Sequence, residues 1–255
     1  MPLHIESITQ ADIPRMVDIQ QMAMGASAFF RSTGDVSNID GTPEEVSASP
    51  CRANKISRVS ENWDKDPTCY FLKAVDDDSG EMVAFAKWHV YHGDEGLTKW
   101  RASVRTDEGM EIPTGANEEG FRFCKGKLLE KRREFFGEEG RDHCCKFCAL
   151  LLLMGLVLIA NVVLALLATD PRYERRGAAS LLTQWGCDIA DRLGIECYLE
   201  ASKKGYPVYK RKGFEEISSQ EEKNTVHFDA SRFTGRGGSD GDWVNLVCMV
   251  RKYAQ

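Results

Sequence analysis

Leu164-Ala165-Leu166-Leu167-Ala168-Thr169-Asp170-Pro171-Arg172-Tyr173-Glu174-Arg175-Arg176-Gly177-Ala178-Ala179-Ser180 joins an apolar run to a helix whose start breaks the usual rules. Leu164–Thr169 reads as a buried strand that Asp170-Pro171 ends, although a helical reading of so short a run is also open. From Ala178 to Leu193 the apolar residues Ala178, Leu181, Leu182, Trp185, Ile189 and Leu193 recur at helical spacing. A helix start normally carries Ser, Thr, Asp or Asn to accept from its free backbone N–H groups. The entry here is Glu174-Arg175-Arg176-Gly177, with no such side chain and with two cations where the helix dipole favours anions. An external anion resolves both faults. A phosphate takes the free N–H groups and is neutralised by the arginines. Gly177 and Ala178 keep side chains out of its way.

Strand, basic turn and helix start form a phosphate cradle of no common nucleotide-binding type. The stretch holds neither a Gly-x4-Gly-Lys-Ser/Thr run nor a Gly-x-Gly-x-x-Gly run. It resembles instead the signature of the GNAT superfamily of N-acetyltransferases, Gln/Arg-x-x-Gly-x-Gly/Ala. The matching residues are Glu174-Arg175-Arg176-Gly177-Ala178-Ala179, with Glu174 where the family has Gln or Arg. A second strand follows at Ile195–Glu200, then Ala201-Ser202. Next comes Tyr209-Lys210-Arg211-Lys212-Gly213-Phe214, which matches the family's tyrosine four residues before Gly-Phe.

The resemblance covers roughly residues 3–91 and 164–252. It implies a single α/β domain over residues 1–255, with a mixed, mostly antiparallel central sheet flanked by helices. It implies acetyl-CoA as co-substrate, no metal, and a primary amine of unknown identity as acceptor, attacked directly in a ternary complex. By resemblance, acetyl-CoA contacts fall to Leu167, Ala168 and Thr169 on the strand, to Glu174, Arg175, Arg176, Gly177, Ala178, Ala179 and Ser180 in the cradle, and to Ser202. Strand backbone near Leu167–Thr169 would bind the pantetheine arm as an added strand and give an N–H to the thioester oxygen. Tyr209 is the expected acid for the departing thiolate. Glu200, at the carboxyl end of its strand, is a candidate base or amine ligand; an ordinary helix-entry carboxylate is the alternative. A non-catalytic CoA-binding or interaction module is the rival reading of the whole.

The rest of the chain reads as follows. Leu3–Ile8 is a strand, and Thr9 caps a helix over Ala11–Met24 with Asp12 as its capping-box partner. Ser32–Pro50 is loop, and Arg52–Trp63 a short helix. Cys69–Val75 and Glu81–Tyr91 form a hairpin about an acidic turn. Residues 92–119 have little periodicity and read as a surface insertion. Phe121–Phe136 is helical. Phe214–Ser218, Asn224–Asp229 and Trp243–Lys252 are strands.

One stretch competes with this picture. Of the 20 residues Ala149–Ala168, 18 are hydrophobic and none is charged. Three readings stay open. Residues 145–163 are an insertion or retained intron sequence, or the run is a buried core element, or it spans a membrane and anchors the protein. Against a span, its last residues are the strand on which the cradle depends, and an open sheet edge cannot lie in lipid.

Composition sets outer limits. The 255 residues are 42% hydrophobic and 28% charged, as in ordinary globular domains. A net charge of −6 gives no sign of a nucleic-acid partner. The nine cysteines are an odd number, and Met1–Gln21 lacks a signal-peptide pattern, so reduced thiols in the cytoplasm or nucleus are expected. Cys144, Cys145 and Cys148 lie near His143, without a second ligand pair at zinc spacing.

Overall fold

The structure is a computed structural model that describes residues 2–25, 27–34, 48, 50–104, 112, 115–136, 161–218, 220–234 and 240–254. Strand β1 (Leu3–Ser7) leads through a 3-10 turn at Gln10–Asp12 into α1 (Ile13–Met24). The capping box forms: both Thr9 N–H and Thr9 hydroxyl donate to the Asp12 carboxylate at 2.8 Å. Helices α2 (Ala28–Thr33) and α3 (Pro50–Glu61) follow, then β2 (Cys69–Asp76) and β3 (Met82–Tyr91). Helices α4 (Gly93–Val104) and α5 (Glu118–Phe136) precede β4 (Asn161–Thr169). The cradle helix α6 (Ala178–Leu193) runs to β5 (Glu196–Ala201), and α7 (Tyr206–Arg211) carries the second landmark. The chain closes with β6 (Glu215–Glu216), α8 (Glu221–Asn224), β7 (Thr225–Asp229), α9 (Ser231–Thr234) and β8 (Trp243–Arg251).

The eight strands form one mixed sheet in the order β1-β2-β3-β4-β5-β8-β6, with β7 also paired to β8. Every pairing is antiparallel except β4 with β5, which α6 joins by crossover. This is the mixed, mostly antiparallel sheet with flanking helices that the sequence implies.

Helix α6 covers one face. Its Ala178, Leu182, Cys187 and Ala190 pack on Ala84, Ala86 and Trp88 of β3, Val162 and Leu164 of β4, and Cys197 and Leu199 of β5. Trp88 is fully buried, and its indole N–H donates to the Leu182 carbonyl at 3.3 Å. A Cβ at Gly186 would lie 2.4 Å from that ring, so glycine inside the helix makes room for it. The opposite face has two apolar patches. Helix α1 packs Ile13, Met16 and Val17 on Phe85 and Ala168, while α5 packs Cys124, Leu128 and Phe136 with Tyr91, Val163 and Tyr198.

Several boundaries differ from the sequence reading. Residues 92–119 are not all surface: α4 lies among them, and its Trp100 is fully buried against Tyr91 and Phe136. One indole at a helical position anchors the segment, although charges and glycines hide the periodicity. Ser32 and Thr33 belong to α2 instead of a loop. The strand predicted over Phe214–Ser218 shortens to Glu215–Glu216.

The strand predicted from Leu164 begins earlier, at Asn161. Val162 and Val163 are buried and pair with β3 on one side and β5 on the other. The last three residues of the 145–163 segment are thus central sheet. Residues 145–160, and with them Cys145, Cys148 and most of the apolar run, lie outside the described residues, as do His143 and Cys144. Among the described residues no helix is long and apolar enough to cross a membrane.

Candidate functional site

Strands β4 and β5 run together only briefly. Asn161–Leu164 pair with Glu196–Leu199, and then the strands part. Glu200 and Ala201 continue on β8, whereas Leu166–Thr169 continue on β3 alone. The parting coincides with an irregularity. Leu164 faces Trp88 and Leu166 faces Lys87, so Ala165 is an extra residue, a bulge in the sense that two residues oppose one. Ala165 is exposed although it lies on a central strand. Among the described residues, one edge of β4 beyond Leu164 therefore has no strand partner, and this edge includes Leu167, Ala168 and Thr169. Its residues run from exposed at Ala165 to buried at Ala168.

The edge leads straight into the cradle. Asp170 is fully buried and fixes the turn. Its N–H donates to the Val83 carbonyl at 2.9 Å. Its carboxylate accepts from Arg172 N–H at 3.0 Å, from the Arg172 guanidinium at 2.8 Å, and from Arg15 of α1 at 2.6 Å. Burial alone would raise its pKa. The Arg172 and Arg15 bonds outweigh that and hold it at about 2. Tyr173 follows in a 3-10 turn, with its hydroxyl on Glu81 at 2.6 Å and with the guanidinium groups of Arg172 and Arg176 over its ring.

The next residues carry the unusual backbone. Arg175 has φ +62° and Gly177 φ +93°. For arginine this left-handed conformation is uncommon. Left-handed residues flanking Arg176 turn the backbone N–H groups into a concave nest. No side chain caps α6, and its first bond runs from Leu181 N–H to the Gly177 carbonyl at 2.9 Å. Nothing lies within 4 Å of the place where a Gly177 Cβ would be, so the space beside the cradle is open. Ala178 is buried under the sheet, and Ala179 and Ser180 are half-buried in the first turn. Glu174, the departure from the family pattern, forms an ion pair with Lys204 from the loop after β5. The pair ties the two loops together and removes Glu174 from the set of free charges.

Tyr209 lies in the same apolar cluster as Leu167, Ala201 and Ala178, so the cluster joins the parted strands to α6 and α7. It is 7% exposed, and its ring meets Phe214 edge-on at 6.0 Å. A Cβ at Gly205 would come within 2.8 Å of that ring. Burial raises the pKa of the hydroxyl, which keeps its proton at every physiological pH. Ser202 does local work: its hydroxyl accepts from Gly205 N–H at 3.2 Å and its carbonyl from Tyr206 N–H at 2.9 Å, which shapes the turn into α7.

Glu200 is not a free carboxylate. Arg132 of α5 grips both oxygens, at 2.6 and 3.0 Å. Burial opposes ionisation of Glu200, and the charge and bonds of Arg132 overcome it, so its pKa falls below the ordinary carboxylate value. The expectation of a base is corrected on this ground: a low-pKa carboxylate held by a guanidinium is a poor proton acceptor. Arg132 was not singled out in the sequence. It lies 68 residues from Glu200, and among the many charges of α5 nothing marks it.

The parted β4–β5 pair, followed by the uncapped basic start of α6, marks this end of the sheet as the candidate site. Residues 116–230 match the family described as acetyltransferase (GNAT) domain. This stretch, a little under half of the chain, is similar to a GNAT acetyltransferase domain. A curated relative, the probable acyltransferase SID5 of Ajellomyces capsulatus, is 38% identical over 45 residues, which is 18% of this chain and only a third, 33%, of that protein's length. Two solved structures share the fold over the whole chain. Arylalkylamine N-acetyltransferase 2 from Aedes aegypti superposes with a TM-score of 0.57 at 14% identity, covering 100% of both chains. A Corynebacterium glutamicum structure described as histone acetyltransferase HPA2 and related acetyltransferase gives 0.51 at 20% identity, covering 100% of this chain and 98% of the other.

Proposed function

We propose that the protein transfers an acetyl group from acetyl-CoA to a primary amine by direct attack in a ternary complex. The observation that carries this reading is the unpaired β4 edge that ends at an uncapped, doubly basic helix start. The free edge beyond Leu164 suits a pantetheine arm laid alongside as a strand. The pyrophosphate fits the nest around Arg175, Arg176 and Gly177 and the first-turn N–H groups of Ala178, Ala179 and Ser180. Arg175 and Arg176 supply charge, and the Glu174–Lys204 pair and Ser202 border the tail from the next loop. No metal is needed for this chemistry.

The reaction makes demands that the chain's own groups can meet. The thioester oxygen gains negative charge as the amine adds, and a strand N–H between Ala165 and Thr169 stabilises it. Tyr209 keeps its proton until a thiolate forms beside it, then donates it. With Glu200 committed to Arg132, the proton of the acceptor amine passes to water at the exposed bulge, and the ion pair fixes the floor of the site.

The direct test combines calorimetry with acetyl-CoA and a thiol-release assay over a panel of amines. Micromolar binding with amine-dependent thiol release is the expected result. Binding without release over the whole panel would instead favour a CoA-binding module, and no binding would remove the reading.

A further inference from the structure

The sheet face opposite α6 is apolar at both ends and polar between. At one end α1 lies across β3 and β4 and packs on Phe85, Leu166 and Ala168. At the other, α5 packs with Tyr91, Val163 and Tyr198. Side chains alternate along a strand, so Lys87 and His89 of β3 point to the same face as Phe85 and Tyr91, and Glu200 of β5 to the same face as Tyr198. The row Lys87, His89, Glu200 thus fills the interval between the two apolar patches. The bulge residue Ala165 beside this interval is exposed, and Lys87 is half-buried.

The charges of the interval do not balance. Arg132 is neutralised by Glu200, and Lys99 by Asp66 at 2.9 Å. His89 stays neutral: it is packed beside Tyr91, receives a contact from the Thr68 hydroxyl at 3.1 Å, and has its pKa lowered to about 3 by burial and by Lys87. Lys87 is half-buried, and its ammonium rests 5.5 Å from the centroid of the Phe71 ring on β2. Among the described residues it has no carboxylate and no hydrogen-bond acceptor. A ring face attracts a cation but accepts none of its three N–H bonds in the way an anion does. A second group has the same character. Gln20, on the face of α1 that carries Ile13 and Val17, is 1% exposed, and neither of its amide atoms is hydrogen-bonded. Buried polar groups normally have partners, so this pair of unused donors on one face points to a ligand.

We propose that this face is the acceptor groove and that the acceptor is an amine that also carries a carboxylate, held by Lys87 with Gln20 as second donor. The proposal rests on the transferase reading above. The amine attacks at β4, and the ammonium of Lys87 rests over β2, two strand spacings away. The acceptor's anion therefore lies within about 10 Å of its nitrogen.

The test uses the full chain, acetyl-CoA, and a series of ω-amino acids set against alkylamines of equal length. The unaltered protein should favour the acid over the matching amine in kcat/KM by about 10- to 100-fold, the usual scale for one charge-assisted bond. Lys87→Met should bring that ratio toward one through a higher KM for the acid, Lys87→Arg should largely retain it, and Lys87→Glu should reverse it. A ratio near one in the unaltered protein, a ratio that survives Lys87→Met, or equal slowing of acids and amines by Lys87→Met overturns the proposal and leaves the transferase reading intact. So does a protein that binds acetyl-CoA but turns over no acid of the series. Failure to bind acetyl-CoA at all overturns both.

Discussion

Arg132 and Glu200 come from different layers of the fold, a helix and a central strand, and meet in a two-bonded pair with side chains 16% and 9% exposed. Removing the cation strands a buried carboxylate. Arg132→Met should cost about 3 to 5 kcal/mol at neutral pH. The sign with pH follows from the shift. In the intact protein the pKa of Glu200 is lowered, so the pair stabilises fully above the ordinary carboxylate value of 4.5 and loses its effect as pH falls through the folded value. In the variant, burial loses its largest opponent, with only the smaller effects of Tyr198 and Lys125 left against it, and favours the protonated acid. The deficit in Tm should therefore be largest near pH 7 and shrink toward pH 4, an estimate from the usual carboxylate range of about 4 to 5. A deficit independent of pH would show that the loss comes from packing of the arginine stem.

The cradle can be tested at a single backbone position. Gly177→Glu places a carboxylate where the phosphate is expected, in space free of protein atoms within 4 Å. The fold should survive, with about 1 to 2 kcal/mol lost to the left-handed backbone. Binding of acetyl-CoA should disappear by calorimetry. Gly177→Ala carries the same backbone strain without the charge and should weaken binding far less. Unchanged affinity in Gly177→Glu would sink the cradle assignment.

Tyr209→Phe keeps the ring against Phe214 and removes only the hydroxyl. If that hydroxyl protonates the departing thiolate, kcat should fall by roughly ten- to a thousand-fold. Affinity for acetyl-CoA should hardly change. The loss should shrink with acyl donors whose thiols leave more readily, because those need less protonation; a packing fault would slow all donors alike. Equal kcat for the variant and the intact protein, with chemistry rate-limiting, would assign the acid role elsewhere.

His89 gives a pH signature of a different kind. Its neighbours are Thr68, Asp66, Lys87, Lys99 and Arg132, and its pKa is lowered from 6.5 to about 3 by burial and then by Lys87. Between those two values the unfolded chain binds a proton that the folded chain refuses, so stability rises with pH across this window. The slope from one such group approaches about 1.4 kcal/mol per pH unit. His89→Asn should flatten the dependence of denaturant midpoint on pH between about 4 and 6.5. An unaltered slope would mean that His89 titrates normally.

The apolar segment has a boundary that can be probed. Phe136 at the end of α5 meets Trp100 and Tyr198, and Tyr91, also against Trp100, faces Asn161 across the sheet. The end of α5 and the start of β4 are therefore close neighbours. A chain that joins residue 144 to residue 161 leaves eight linking residues (137–144), which reach about 27 Å when extended. Deleting 145–160 should leave soluble expression and Tm unchanged or improved. Deleting 145–163 also removes Val162 and Val163 from between β3 and β5 and should lower Tm by several degrees. Aggregation of the shorter deletion, with the full chain soluble, would make the run a core element.

What the chain states locally, the amino-acid order alone determined. The bounds of α6, its uncapped basic start at Glu174–Gly177 and the Thr9–Asp12 capping box follow from spacing and cap chemistry between near neighbours, while Tyr209 stands out through the family resemblance alone. The mixed sheet is legible too, because apolar strands and amphipathic helices alternate along the sequence. Only the tertiary structure decided what depends on residues far apart. The early start of β4 at Asn161 is hidden because Val162 and Val163 sit inside an unbroken apolar run with no local stop signal. Trp100 enters the core from a segment whose composition reads as surface. Above all, the state of a charged group is set by what folds against it. Glu200 has the position of a base but not the freedom of one, because Arg132 arrives from 68 residues away. Lys87 looks like an ordinary strand lysine until the fold pairs its neighbouring charges and leaves it, among the described residues, without an anion.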